Sequence, residues 1–132
     1  MSRKIQCSVL TPDRVLFEGQ VDFAVVQAHD GEIGFLFNHA PLVAELGLGE
    51  VRLRSADQAS FLMVEGGFVE IRDNELIVLA ESAFKKEELA KDLLDRQIRE
   101  ISAAERPAEI RDRITMDLEL KKLKARLKVA SR

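Results

Sequence analysis

Hydrophobic and polar residues alternate with a period of two along the first 80 or so residues of the chain. The clearest stretches are residues 50–54 and 68–72, and the second is followed by an Asp-Asn turn and the apolar run 76–79. Further candidate strands, separated by Gly, Pro, Asn and Asp, cover residues 5–10, 15–17, 21–28, 33–37 and 61–65. Short strands with this punctuation predict an N-terminal antiparallel β-sandwich, or flattened barrel. Gly66-Gly67 reads as a turn that needs positive φ or close backbone approach.

The period changes near residue 86, where apolar residues begin to recur every three or four positions. Two stripes result, one formed by Ala90, Leu94, Ile98 and Ile101 and the other by Met116, Leu120, Leu123, Leu127 and Ala130. Pro107 separates them, so the pattern predicts two helices, over residues 86–104 and from 108 onward, in an antiparallel hairpin. A two-helix hairpin buries little surface alone, so we expect it to pack on the sandwich or on another protein.

Charge and glycine content change at the same place. Residues 1–81 carry 6 basic and 13 acidic side chains and all seven glycines, whereas residues 82–132 carry 14 basic and 10 acidic side chains. We therefore predict two unlike domains, a sandwich over residues 1–85 and a helical hairpin over 86–132.

The longest apolar runs are far shorter than the roughly 18 residues that span a bilayer, so we expect no direct bilayer insertion.

Few residues suggest catalytic chemistry. There is no glycine-rich phosphate loop, and the single cysteine, Cys7, lies in an alternating strand where a core role is expected. The neighbouring side chains of His29 and Asp30 would point to opposite faces of a strand, which argues against a base and its orienting acid. The sequence therefore predicts a protein that is not an enzyme and that holds no cofactor or metal.

Several segments are similar, in the same order, to one known family. They are residues 8–13, 18–21, 30–41, 64–70 and 77–80, which include Gly-Glu-Ile-Gly and His-Ala-Pro. With its helical C-terminal part, the whole chain resembles the epsilon subunit of the F-type proton-translocating ATP synthase. The resemblance implies a non-catalytic subunit of the rotor stalk, which couples proton translocation to ATP synthesis.

The same resemblance implies partners and a location. The sandwich would bind the gamma subunit and the c-ring of the membrane sector, while the hairpin would either fold onto the sandwich or extend along gamma. In the extended form it would contact the alpha and beta subunits and slow ATP hydrolysis. We expect a peripheral protein on the cytoplasmic face of a bacterial inner membrane, with the stromal side of a thylakoid membrane as the alternative.

By the family pattern, Glu32 and His39 match positions at the interface with the c-ring and gamma. A solvated turn glutamate is the alternative for Glu32, and a hydrogen-bonded loop histidine is the alternative for His39. The residues before His39, Phe37-Asn38, differ from the Pro-Gly that many members have there.

Basic residues crowd the end of the second helix. They are Lys121, Lys122, Lys124, Arg126, Lys128 and Arg132, with no acidic residue among positions 121–132. The helix dipole accounts for only two or three of them, so we expect an acidic partner. The resemblance implies that Lys121, Lys122, Lys124 and Arg126 make inhibitory contacts with the beta subunit.

One departure from the family pattern concerns ATP. Some bacterial members bind ATP through an I/L-D-x-x-R-A motif, but the matching residues here, 89–94, read Leu-Ala-Lys-Asp-Leu-Leu and lack the arginine. A shifted alignment, over residues 94–99, keeps the acid but places Ile98 at the arginine position. Without that charge we expect no useful affinity for ATP.

Two other functions fit the same periodicities. An interaction module unrelated to the synthase, with the hairpin as a coiled-coil arm, is one. A nucleic-acid role for the basic tail is less well supported, because its charges surround the helix and the sandwich is acidic. We expect no nucleic acid partner.

Overall fold

Eight β-strands, a short 3₁₀ helix and two α-helices follow one another along the chain in the computed structural model, which describes residues 3–132. The strands are β1 (Ile5–Leu10), β2 (Val15–Val21), β3 (Phe23–Ala28), β4 (Gly31–Phe35), β5 (Leu42–Glu45), β6 (Leu48–Ser55), β7 (Gln58–Arg72) and β8 (Glu75–Lys85). The 3₁₀ helix Lys86–Glu88 leads to α1 (Lys91–Ala103) and α2 (Ile110–Ala130). The predicted order of a β-sandwich followed by a helical hairpin is confirmed.

The strands are hydrogen-bonded in the order β2-β1-β8-β7-β6-β3-β4, with β5 added beside β7. β7 pairs with β6 through its first half and with β5 through its second half, so this long strand contributes to both layers of the sandwich. All pairs are antiparallel except β1 with β8. A parallel pair needs a long connection between its strands, and here β2 to β7 supply it.

The sequence suggested a turn at Gly66-Gly67, but β7 continues through both residues. Their φ angles are +76° and +112°, and a Cβ on Gly67 would collide with the carbonyl oxygen of Leu79. The Leu46 N–H donates to the Gly67 carbonyl oxygen at 2.9 Å, so pairing persists across the bend. The glycines thus supply positive φ and close approach, as expected, in a bend that carries β7 from one layer to the other.

The core lies between the two layers and is formed by alternate residues of the strands. Its largest fully buried side chains include those of Ile5, Phe35, Ile71 and Leu76. Cys7 is also fully buried, and its burial raises the pKa of the thiol to about 12. The prediction that Cys7 is a core residue is confirmed.

The first α-helix begins further along the chain than the pattern indicated. β8 extends to Lys85, and α1 begins at Lys91 rather than at residue 86. The carboxylate of Glu88 explains the delay, because it accepts the Lys85 N–H at 2.6 Å and two hydrogen bonds from Arg14 at 2.7 Å. These contacts hold residues 86–88 in a separate 3₁₀ turn.

The two helices pack against each other, and α2 also lies on β6 and β7. Leu94 of α1 and Leu123 and Val129 of α2 are the buried residues of these helices. The first half of α2 presents a second apolar row to solvent, in which Ile110, Ile114 and Leu118 are more than half exposed. No helix among the described residues is long and apolar enough to cross a membrane.

Candidate functional site on the helix-covered face of the sandwich

The outer surface of β6, β7 and β8 carries both charged and large apolar side chains. Alternation along the strands turns Val51, Leu53, Leu62 and Val64 into the core, and turns their neighbours outward. Those neighbours form what we call the docking face, which comprises Glu50, Phe61, Met63, Glu65 and Phe84. Met63 is fully buried although it points away from the core, because α2 covers this face.

Arg126 of α2 binds Glu65 of β7 through two hydrogen bonds. Its Nε donates to Oε2 at 2.6 Å and its Nη2 donates to Oε1 at 2.9 Å. The guanidinium also lies 4.9 Å from the centre of the Phe84 ring, a distance at which a cation is attracted to an aromatic face. The hydrogen bonds to Glu65 raise the pKa of Arg126, so this guanidinium stays charged.

Arg132 repeats this arrangement at the end of the hairpin. Its Nε and Nη2 donate to the two carboxylate oxygens of Glu50 at 2.6 and 2.7 Å, and its guanidinium lies 5.0 Å from the centre of the Phe61 ring. Two arginines of the helical domain therefore each bind one carboxylate and one aromatic ring of the sandwich.

These contacts determine where α2 lies more than they stabilise it. The side chains of Glu50 and Glu65 are only 4% and 5% exposed, and removing two such carboxylates from water offsets much of the attraction to the arginines. Leu123 and Val129 add about 1.5–3 kcal/mol each by burial, against the entropy of ordering the hairpin. Because α2 is held on the docking face by two buried side chains and two ion pairs, it is suited to reversible docking.

A third arginine extends the ion pair at Glu50 to the edge of the sandwich. Nη1 of Arg52 lies 3.4 Å from Glu50 and 3.3 Å from Glu32 on β4. Glu32, Arg52, Glu50 and Arg132 thus form a row of alternating charges that leads from an exposed strand to the helix.

The structure places the two predicted interface residues in different surroundings. Glu32 is exposed on β4 but paired with Arg52, so it is not simply a solvated turn residue. His39 is half-buried, with Nδ1 2.6 Å from the Ala40 carbonyl oxygen and its ring centre 5.1 Å from that of Phe35. The internal contacts of His39 fit the hydrogen-bonded loop histidine that was the alternative prediction.

The four predicted basic residues of α2 also separate into two kinds. Arg126 binds Glu65, and Nζ of Lys122 lies 4.0 Å from the same carboxylate. Lys121 and Lys124 are exposed. In this conformation the acidic partner of Arg126 is therefore the sandwich of the same chain.

Sequence reasoning did not identify Glu50, Glu65 or Arg132 as site residues. Alternation places both glutamates on the outer side of their strands, where a solvated role is the simplest prediction. The signal that could have identified them is the presence of two apolar neighbours, Phe61 and Met63, on that same outer side. Apolar residues opposite the core indicate a surface that another element covers.

Within residues 3–132, no helix covers the other outer surface of the sandwich. Its large apolar side chains are Val43, Phe68, Ile77 and Leu79, between 41% and 64% exposed, and we call these residues the open face. The register places them together, since Phe68 pairs with Leu79, and Val43 and Ile77 both pair with Glu70.

No cluster of acidic, His or Cys residues that would hold a metal occurs within residues 3–132.

Comparison with known proteins gives this architecture a family. Residues 4–86 match the model of the ATP synthase Delta/Epsilon chain β-sandwich domain. An ATP synthase epsilon chain of Leptospira interrogans is 38% identical over 133 residues, covering 99% of this chain and 98% of that protein. The chain belongs to the ATP synthase epsilon chain family. The epsilon chain of Alkalihalophilus pseudofirmus is 44% identical over 79 residues, or 60% of this chain and 59% of that one.

Solved structures agree on the fold of this epsilon-family chain. A chain in the Euglena gracilis mitochondrial ATP synthase structure superposes with a TM-score of 0.86 at 19% identity, covering all of this chain and 84% of that one. A chain from the Tetrahymena thermophila mitochondrial ATP synthase gives a TM-score of 0.70 at 12% identity, with 97% of each chain covered. These structures support the fold, while the match to the family model and the 38% identical relative confirm the resemblance to the epsilon family.

Proposed function

We propose that this epsilon-family chain is a non-catalytic subunit of the central stalk, whose sandwich attaches to the rotor and whose hairpin inhibits ATP hydrolysis when it leaves the sandwich. The observation that carries the proposal is the docking of α2. Two ion pairs and two buried side chains hold the helix on the sandwich, while its Ile110, Ile114 and Leu118 row stays exposed. A hairpin that is held weakly on one side and is apolar on another is suited to exchanging one partner for another.

The open face is our candidate for the gamma subunit. Val43, Phe68, Ile77 and Leu79 form an apolar surface on the layer that the hairpin leaves uncovered, and such a surface marks a protein interface. Glu32 and His39 are our candidates for the interface with the c-ring or gamma, and of the two Glu32 is the more exposed. The two similar solved structures are described as an OSCP/F1/c-ring assembly and as a central stalk with c-ring, which supports partners of this kind.

Contact with the catalytic subunits would follow release of α2. Lys122 and Arg126 would then lose Glu65 and join Lys121 and Lys124 as a basic surface for an acidic segment of the beta subunit, with the apolar row beside gamma and alpha. Such a chain would act as a peripheral protein at the cytoplasmic face of a bacterial inner membrane, or at the stromal side of a thylakoid membrane.

Deleting residues 86–132 in the assembled synthase tests the inhibitory role. We expect the truncated sandwich to assemble with gamma and the c-ring, and ATP hydrolysis to rise severalfold because nothing then extends toward the catalytic subunits. Normal assembly with unchanged hydrolysis over a series of salt concentrations would contradict inhibition and leave the hairpin as a packing element.

Separate variants distinguish the inhibitory contacts from the docking contacts. Lys121→Ala with Lys124→Ala removes exposed charges that do not bind the sandwich, so we expect weaker inhibition that is less sensitive to salt. Lys91→Ala, at the exposed start of α1, is the matched control. Replacing Lys121, Lys122, Lys124 and Arg126 together by alanine should reproduce much of the effect of deletion. If the double variant behaves like the control, the basic surface does not contact the beta subunit.

Reversing the charge of Glu32 tests the rotor interface. Glu32 is exposed, so Glu32→Lys should cost little stability, yet it should weaken the coupling of hydrolysis to proton pumping in the assembled enzyme. Unchanged pumping, with the variant subunit present in full amount, would exclude a c-ring contact at this residue.

A further inference from the structure

A single guanidinium nitrogen links the proposed rotor surface to the hairpin. Nη1 of Arg52 is the atom close to both Glu32, at 3.3 Å, and Glu50, at 3.4 Å. Both distances are long for a charge-assisted hydrogen bond, whereas the hydrogen bonds between Arg132 and Glu50 are 2.6 and 2.7 Å long. Arg52 is thus shared by two carboxylates and bound tightly by neither.

We propose that Arg52 couples the occupancy of Glu32 to the docking of α2. While no rotor group binds Glu32, its carboxylate holds Arg52 partly away from Glu50, and Arg132 is the main cation that binds the buried carboxylate of Glu50. When a cationic group of a rotor subunit binds Glu32, Arg52 turns fully to Glu50 and competes with Arg132. The end of α2 then loses its ion pair to the sandwich.

The charges explain the direction of this effect. Glu32, Arg52, Glu50 and Arg132 form a set of zero net charge, in which each arginine lies between or beside carboxylates. Neutralising Glu32 leaves two arginines facing one buried carboxylate, and the repulsion between them falls on Arg132, because Arg132 lies beyond the last residue of α2. Arg52 remains tethered to a central strand of the sandwich.

The coupling is reciprocal, as linkage requires. When α2 leaves, Glu50 would be without Arg132, and a buried carboxylate without a cation is costly. Arg52 is the cation that already lies near Glu50. Its move to Glu50 frees Glu32 for a cationic partner. Release of the hairpin and attachment of a basic rotor group at Glu32 therefore favour each other.

This inference rests on the proposed function for its partner, but its mechanism can be tested in the isolated full-length chain. The measurement is amide hydrogen exchange over residues 123–130, which reports the docking of the end of α2. Glu32→Gln stands in for a neutralised Glu32. It should raise exchange there about two- to fivefold, the effect of weakening one partly exposed ion pair. Glu70→Gln, an exposed carboxylate on β7, is the matched control.

The role of Arg52 is tested by combining substitutions. Arg52→Gln removes the competitor, so exchange over residues 123–130 should not rise, and Glu32→Gln should have no further effect in that background. An unchanged exchange rate in Glu32→Gln would overturn the proposal, and so would the same increase with and without Arg52, since the effect would then not pass through this residue.

The assembled synthase separates failure of this coupling from failure of the proposed function. There, cross-linking of the Glu32→Cys variant to the c-ring reports the contact itself. A cross-link without the exchange effect in the isolated chain would reject the coupling but keep the rotor contact. The exchange effect without a cross-link would reject Glu32 as the contact while the coupling stands.

Discussion

Arg126 and Glu65 lie 61 residues apart in the sequence and form a two-point ion pair between the helical hairpin and the sandwich. The Glu65 side chain is 5% exposed and that of Arg126 is 24% exposed. The carboxylate is therefore enclosed by the helix, whereas the arginine keeps some contact with water. Loss of the pair should act mainly on docking and little on the sandwich.

Glu65→Gln should release α2 more often without unfolding the sandwich. The glutamine loses the charge-assisted hydrogen bonds, which should weaken docking by roughly 1–3 kcal/mol. This is less than breaking a fully buried pair costs, because Arg126 can turn to solvent. Hydrogen exchange over residues 123–130 measures the change, with Glu81→Gln, an exposed acid on β8, as the control. Equal exchange in the two variants would show that Glu65 does not hold the helix.

The sandwich should fold without the helices when it is cut after residue 85. The strands and their core end there, so the fragment 1–85 should unfold cooperatively on heating, at a lower temperature than the whole chain. A fragment 1–81 should be much less stable, because it loses the end of β8 and the buried Ala83. Thermal melts followed by circular dichroism compare the two. An unfolded 1–85 fragment would mean that α2 completes the sandwich.

ATP should not bind this chain with useful affinity. The residues at the family's ATP motif are Leu89 to Leu94, and the arginine position is occupied by Leu93, which is 45% exposed. Isothermal titration of the full-length chain with ATP should give no heat of binding at micromolar concentrations. A micromolar site that is lost on substitution of a nearby arginine would refute this prediction.

The contact of Glu88 with Arg14 should make stability depend on pH in the acid range. Hydrogen bonds from Arg14 and from the Lys85 N–H lower the pKa of Glu88 from 4.5 to about 2. A lowered pKa means that the ionised carboxylate stabilises the fold fully above pH 4.5, and that this stabilisation is lost as the pH falls toward 2.

Denaturation of the wild type and of Glu88→Gln between pH 7 and pH 2 measures this effect. The wild type should be more stable at pH 7, and the difference should shrink below pH 4.5. Glu87→Gln, at the exposed neighbouring residue, is the matched control. A Glu88→Gln difference that stays constant over the whole range would mean that the ionised carboxylate adds nothing to stability.

Much of the fold could be predicted because the periods of its elements are clear. The strand expected over residues 5–10 is β1, and the two helices follow the predicted apolar stripes. β5 was missed because it has only four residues and no fully buried one. The sequence predicts a turn at Gly66-Gly67 where the structure has a bend, since a single sequence does not distinguish a glycine that ends a strand from one that bends it.

The candidate site was harder to predict because it depends on which outer face the helix covers. The basic end of α2 indicates an acidic partner, and its assignment to the beta subunit stays a prediction. Glu65, the partner that Arg126 has in this structure, lies on a strand far away in the sequence, and strand alternation alone assigns it to solvent. Only the three-dimensional position of α2 turns Glu50 and Glu65 from surface residues into buried ones.

The parallel pairing of β1 with β8 has a consequence for how the chain folds as it is synthesised. Of the strands, β1 leaves the ribosome first and its neighbour β8 leaves it last. One edge of the early β1–β2 pair therefore stays unpaired while β3 to β7 are made. Contacts that are distant in sequence form slowly, and an unpaired strand edge invites association with other chains. The helical residues that follow β8 are made last. The sandwich can therefore close while the nascent chain is still attached, before α2 exists to cover its outer face.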